Sequence, residues 1–107
     1  MQGVERKLII NVVRECAKRG WKPIAVFDGG QQVPAKTEAK VLEVCGSVDD
    51  STISFTNGKR NMGVLVILGN GIDCISDHNT GDADFEAAME ANYEYWNKLQ
   101  EQGDYQS

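Results

Sequence analysis

The most apolar run of the sequence, Gly63 to Leu68, limits the possible folds more than any other stretch. It begins the segment Met62 to Asp84, which turns at Gly69-Asn70-Gly71 and returns through Ile72 to Asp77. Five consecutive apolar positions, Val64 to Leu68, predict a strand in the interior of a sheet with a neighbour on either side. We therefore interpret this segment as the central hairpin of the sheet, followed by an acidic helix.

Three further segments have the spacing of amphipathic helices. Val4 to Arg19 repeats apolar residues every three or four positions, which places them on one face. Thr37 is a suitable N-cap for a second helix that runs through Cys45. A third helix is predicted from about Asp82 to Gln100, with Phe85, Met89, Asn92, Trp96 and Leu99 on its buried face together with Ala88.

The remaining strands are shorter and are bounded by turn residues. Trp21 to Asp28 predicts a strand whose start lies at a sheet edge or at a position without a ladder hydrogen bond, because Pro23 lacks an amide hydrogen. Residues 31–36 allow a short return strand. Residues 51–56 alternate polar and apolar side chains, as a half-buried strand does. The expected fold is α+β, a two-layer sandwich with an antiparallel sheet of four or five strands and three helices, in the order α-β-(β)-α-β-β-β-α.

Length and charge restrict the function further. A chain of 107 residues predicts one domain, 1–107, of which we expect 101–107 to fray. Residues 1–60 carry ten Lys or Arg against seven Asp or Glu, whereas residues 61–107 carry one Lys against nine acids. An acidic second half argues against direct nucleic-acid binding. No apolar run is long enough to span a membrane, and a polar start without a signal-peptide region favours a cytoplasmic location.

The three cysteines, Cys16, Cys45 and Cys74, lie far apart in the sequence and form no paired CxxC motif. Each stands in an otherwise apolar pattern, which is typical of buried free thiols. We therefore interpret them as core residues without a redox or metal role.

Asp77 and His78 are the sharpest candidates for chemistry, because His78 is the only histidine and acids surround it. The calcium-loop pattern fails from Asp77 onward, and a transition-metal site needs more nitrogen or sulfur ligands than one histidine supplies. No nucleophile motif is completed either. We keep a small metal-dependent hydrolase using Asp77 and His78 as a weak alternative, and expect no cofactor.

The last helix carries a stripe of like charges, Glu86, Glu90 and Glu94, at four-residue spacing. Such pairs destabilise an isolated helix by roughly 0.2–0.5 kcal/mol each, so a compensating partner is plausible. Three explanations remain: the basic flank of the first helix (Lys7, Arg14 and Lys18) packs beside the stripe, the stripe is simply solvated, or a basic partner binds it.

The chain contains six short motifs: Gly20-Trp21, Val26-Phe27-Asp28-Gly29-Gly30, Thr37-Glu38-Ala39, Ser47-Val48-Asp49-Asp50, Leu68-Gly69-Asn70-Gly71 and Ile75-Ser76-Asp77. These motifs resemble those of a group of small uncharacterised α+β proteins from bacteria and their phages. They span most of the chain in one order. The resemblance implies an architecture and an accessory-gene setting but no activity, and His78 stands where an aromatic residue is expected in that group.

Together these observations favour a non-catalytic accessory protein of a phage or mobile element, located in the host cytoplasm. It is expected to bind another protein through Glu86, Glu90 and Glu94, whose charge suits a basic partner. The alternatives are a homo-oligomeric structural module and, with less support, the metal-dependent hydrolase.

Overall fold

The computed structural model describes residues 1–103, which form three α-helices and one five-stranded sheet. The helices are α1 (Gly3–Lys18), α2 (Glu38–Cys45) and α3 (Ala83–Glu101). The strands are β1 (Lys22–Phe27), β2 (Gln32–Pro34), β3 (Asp50–Thr56), β4 (Asn61–Ile67) and β5 (Ile75–His78). Their order confirms the predicted α+β fold. Of the tail expected to fray, Glu101 ends α3, and residues 104–107 lie outside the described part of the chain.

The strand order across the sheet is β2-β1-β3-β4-β5, and all neighbouring strands are antiparallel. β4 is interior, as its apolar run predicts, and the β1–β2 hairpin is added at one edge. β5 forms the other edge. The hairpin interpreted as central is therefore interior in its first strand only.

All three helices cover one face of the sheet, because alternate strand residues supply an apolar surface there. Val26, Ile53 and Val64 lie side by side on this face, are fully buried, and belong to one core with residues of α1, α2 and α3. The rings of Trp21 and Phe85 meet edge to face at 5.2 Å and join the start of α3 to that core. These contacts fix the position of α3 beside β5.

The return strand of the hairpin begins later than predicted. Gly71–Asp73 forms a 3-10 turn, and β5 starts only at Ile75. Gly69 has φ +92°, a left-handed conformation that glycine adopts without steric cost. The return strand predicted from Ile72 to Asp77 is therefore wrong at its start, because Ile72 and Asp73 belong to the turn and the chain is extended only from Ile75.

Candidate functional site

A groove lies between α3 on one side and the 3-10 turn with β5 on the other. It has a volume of about 300 Å³. Its lining combines apolar side chains with a polar rim, and we call it the α3 groove: Leu8, Ile72, Asp73, Ile75, His78, Met89, Asn92, Tyr93 and Trp96. A more open depression shares His78, Met89 and Tyr93 with the groove and adds Glu86 and Glu90. The two form one continuous acidic and aromatic surface along α3.

Local interactions set the rotation of α3 that creates this surface. The side chain of Asp82 caps the helix by accepting a hydrogen bond from the Phe85 amide at 2.8 Å. Further along, Asn11 donates a hydrogen bond from its side-chain amide to the Asn92 side-chain oxygen at 2.9 Å and ties α3 to α1. Since Phe85 and Asn92 both face inward, Tyr93 is turned outward and is 59% exposed.

The aromatic part of the surface consists of two stacked rings. Tyr93 and Trp96 have ring centroids 5.3 Å apart and planes inclined by only 15°. Both residues line the groove. Trp96 is half-buried, whereas the spacing on the helix predicted it as part of the buried face. It belongs to the wall of the groove because the packing partner on that side is the 3-10 turn.

The glutamate stripe divides into one paired and two unpaired members. Glu86 contacts His78, with 3.0 Å between its Oε1 and His78 Nε2. Glu90 and Glu94 are exposed, and neither forms a hydrogen bond or ion pair with another residue of 1–103. His78 and the first glutamate of the stripe, considered separately in the sequence, are therefore in contact.

The basic flank of α1 does not pack against this stripe through Arg14 or Lys18. Arg14 binds Glu38 of α2, with Nε 3.0 Å and Nη2 3.2 Å from the two carboxylate oxygens. Lys18 binds Glu15 on its own helix at 2.9 Å. The explanation that these two cations compensate the glutamates is wrong, because closer acids on α1 and α2 already hold them.

Asp77 and His78 are adjacent in sequence, but their side chains point to opposite faces of β5. His78 is paired with Val64, which is buried beneath the helices, so the His78 side chain lies on the helix-covered face. Asp77 is paired with Leu65 and lies on the opposite face. The Asp77 carboxylate instead accepts a hydrogen bond from the backbone amide of His78 at 2.8 Å. Within residues 1–103, no three His, Cys, Asp or Glu side chains are grouped as a metal ion would require. The structure thus pairs His78 with Glu86 and not with Asp77.

Glu5 is a structural residue of the site that the sequence pattern did not reveal. It is 1% exposed, and its Oε2 accepts backbone hydrogen bonds from Gly69 at 2.6 Å and Gly71 at 3.2 Å. Its Oε1 accepts the Gln2 amide at 2.8 Å, as an acid at the third position of a helix does. The carboxylate holds the loop that enters the 3-10 turn, and so it positions Ile72 in the groove wall. In the sequence, the only sign of this role was the presence of an acidic residue in the first turn of an amphipathic helix.

The cysteines lie in the core, away from this surface. Cys16, Cys45 and Cys74 are all buried and unpaired, which confirms their interpretation as free core thiols. Burial raises the pKa of Cys16 and of Cys74 to about 12 and also raises the pKa of Cys45. Because the thiolate is the reactive form, these thiols are poor nucleophiles at neutral pH.

Comparison of the chain with family models, with curated proteins and with solved structures finds no match. Among the described residues, no helix combines the length and apolar character needed to cross a membrane. The geometry and charge of the α3 groove and of the helix beside it are therefore the observations that bear on function.

Proposed function

We propose that this protein is a non-catalytic interaction module that binds a basic segment of another protein through the acidic face of α3. Glu86, Glu90 and Glu94 are the binding residues. The observation that carries the proposal is that Glu90 and Glu94 are exposed one turn apart and have no partner within residues 1–103.

The charge pattern supports a cationic partner. Among the described residues, Asp73, Glu86 and Glu90 line the groove and the adjoining depression, and no lysine or arginine does. Each like-charged pair on the helix costs roughly 0.2–0.5 kcal/mol, and within residues 1–103 neither Glu90 nor Glu94 forms an ion pair. Lys98, four positions after Glu94, offsets the repulsion at Glu94 alone. A basic segment relieves this repulsion when it binds. Because these charges are exposed, the attraction must weaken as salt is added.

A direct binding measurement tests the proposal. A fluorescein-labelled peptide of alternating lysine and serine is titrated with the protein, and its fluorescence anisotropy is followed at low and at physiological salt. The double variant Glu90→Gln/Glu94→Gln is expected to bind about three- to tenfold more weakly, since an exposed ion pair contributes about 0.2–1 kcal/mol. Its melting temperature is expected to remain the same or rise slightly.

The matched control removes the same two charges elsewhere. Glu43 and Asp50 are both exposed and lie on α2 and β3, away from the groove. Glu43→Gln/Asp50→Asn is expected to bind the peptide as the unmodified protein does. Equal losses in the two double variants would show a general effect of net charge and would contradict a binding face on α3. Absence of binding by the unmodified protein at low salt would also contradict it.

The cellular setting is proposed on the resemblance alone: an accessory protein of a phage or mobile element in the host cytoplasm. Of the two other functions, the hydrolase has the weaker support, because Asp77 and His78 face apart. Metal analysis and the variant His78→Ala test it. The homo-oligomeric module is tested by size-exclusion chromatography with light scattering, where a concentration-independent monomer counts against it.

A further inference from the structure

The α3 groove is small, and its size suits the binding of a single side chain. Its volume of about 300 Å³ is at the lower limit of the range, about 300–1,000 Å³, that small-molecule pockets occupy. Leu8, Ile72 and Met89 are buried residues at its wall, and Ile75 is half-buried there. An occupant that brings apolar surface into the groove therefore removes the remaining exposed apolar area of this wall from water.

The acidic rim of the groove adds a second requirement: the occupant must carry a positive charge. Asp73 is exposed on the side of the 3-10 turn, and Glu86 and Glu90 lie in the adjoining depression. His78 holds only one oxygen of Glu86, while Glu90 makes no contact of this kind within residues 1–103. Lysine and arginine are the side chains that combine an apolar stem with a charged end, and both place the stem on apolar surface while the charge stays at the rim.

The aromatic pair distinguishes between these two cations. Tyr93 and Trp96 are stacked at 5.3 Å, and both line the groove. A guanidinium group is planar and weakly hydrated, so it stacks on aromatic rings and binds carboxylates with two parallel hydrogen bonds. An ammonium group is compact and strongly hydrated, and it gains less from either contact.

We infer that the α3 groove selects an arginine side chain of the basic partner, with its stem against Ile72 and Ile75 and its guanidinium between the Tyr93–Trp96 pair and the acidic rim. This inference rests on the proposed function, since it identifies the residue that the same surface recognises. It adds a preference for arginine over lysine that comes mainly from the Tyr93–Trp96 pair and Asp73 in the groove.

The test uses three labelled peptides that differ at one central position. Each has the lysine–serine background described above, with arginine, lysine or citrulline at the centre; citrulline keeps the shape of arginine without its charge. The arginine peptide is expected to bind about fivefold or more tightly than the lysine peptide, and the citrulline peptide to bind most weakly. Equal affinities for the arginine and lysine peptides would overturn the inference but leave the proposed function standing.

Variants of exposed groove residues connect the preference to this site. Tyr93→Leu and Asp73→Asn are each expected to reduce the ratio of lysine to arginine dissociation constants to below about twofold, whereas Tyr93→Phe keeps it. Glu90→Gln/Glu94→Gln is expected to weaken all peptides while the ratio is retained. An unchanged ratio in both Tyr93→Leu and Asp73→Asn, with unfolding curves like that of the parent, would also overturn the inference. If no peptide binds the unmodified protein, the proposed function fails and the inference fails with it.

Discussion

Replacing Glu5 with alanine is expected to reduce the free energy of unfolding by about 3 kcal/mol, a large part of the total of about 5–15 kcal/mol for a domain of this kind. The carboxylate is 1% exposed and accepts the amides of Gly69 and Gly71. Hydrogen bonds to a charged group contribute about 1.5–3 kcal/mol each. We take the lower value for these two bonds because the substitution also removes the cost of burying a charge. The third hydrogen bond comes from the backbone amide of Gln2, a half-buried residue at the start of the helix.

Urea unfolding followed by tryptophan fluorescence measures this loss. With a slope of about 1–3 kcal/mol per molar urea, a change of 3 kcal/mol lowers the midpoint by roughly 1 M or more. Glu5→Gln keeps a neutral acceptor of the same size and is expected to lose only about 1 kcal/mol. The control is Glu43→Gln, which loses only an exposed contact with Lys40 and should change the midpoint little. A loss below about 1 kcal/mol for Glu5→Ala would refute the idea that this carboxylate holds the loop.

Three further predictions concern the core, the ion pairs and the helix cap. Cys16 and Cys74, whose pKa burial raises to about 12, should not react with a thiol reagent at pH 8 until the protein is unfolded in denaturant; rapid reaction of the native protein would contradict their burial. The hydrogen bonds of Lys18 and then Arg19 lower the pKa of Glu15, so its ionised form stabilises the fold above pH 4.5 and this contribution is lost as the pH falls below that value. Thermal melts of Glu15→Gln should therefore differ from the parent at pH 7 and converge with it in acid; a constant difference would exclude this linkage. Asp82→Ala should cost about 1 kcal/mol by urea unfolding through loss of the cap on the Phe85 amide, whereas Asp84→Asn, with no cap to lose, should change little.

The sequence predicted the elements of the fold well because each depends on short-range periodicity. Alternation in residues 51–56 corresponds to β3, and the apolar run from Gly63 corresponds to interior strand β4. The N-cap at Thr37 is also confirmed, since its side chain accepts the Lys40 amide at 3.2 Å. The 3-10 turn at Gly71–Asp73 was missed because the apolar residues Ile72 and Cys74 flank a polar residue, as they would in a strand with one buried face.

The candidate site was only partly predictable, because it depends on contacts between distant elements. Helical periodicity placed Glu86, Glu90 and Glu94 on one face, but it did not determine what that face adjoins. The contact between His78 and Glu86 exists because α3 packs beside β5. Likewise, the link from Glu5 to Gly69 spans 64 positions, beyond any local pattern. Tertiary packing, and not sequence spacing, creates the α3 groove.

The central claim is that the acidic face of α3, with its groove, binds a basic segment. The most direct measurement is a titration of the ¹⁵N-labelled protein with the arginine-containing peptide, followed by NMR. If this face binds the peptide, chemical-shift changes are expected at the amides of Glu90, Tyr93 and Glu94 and at the indole of Trp96. The indole signal of buried Trp21 should stay unchanged, and added salt should reverse the changes. Shifts confined to other surfaces, or no shifts at a peptide concentration that saturates binding in anisotropy, would contradict it.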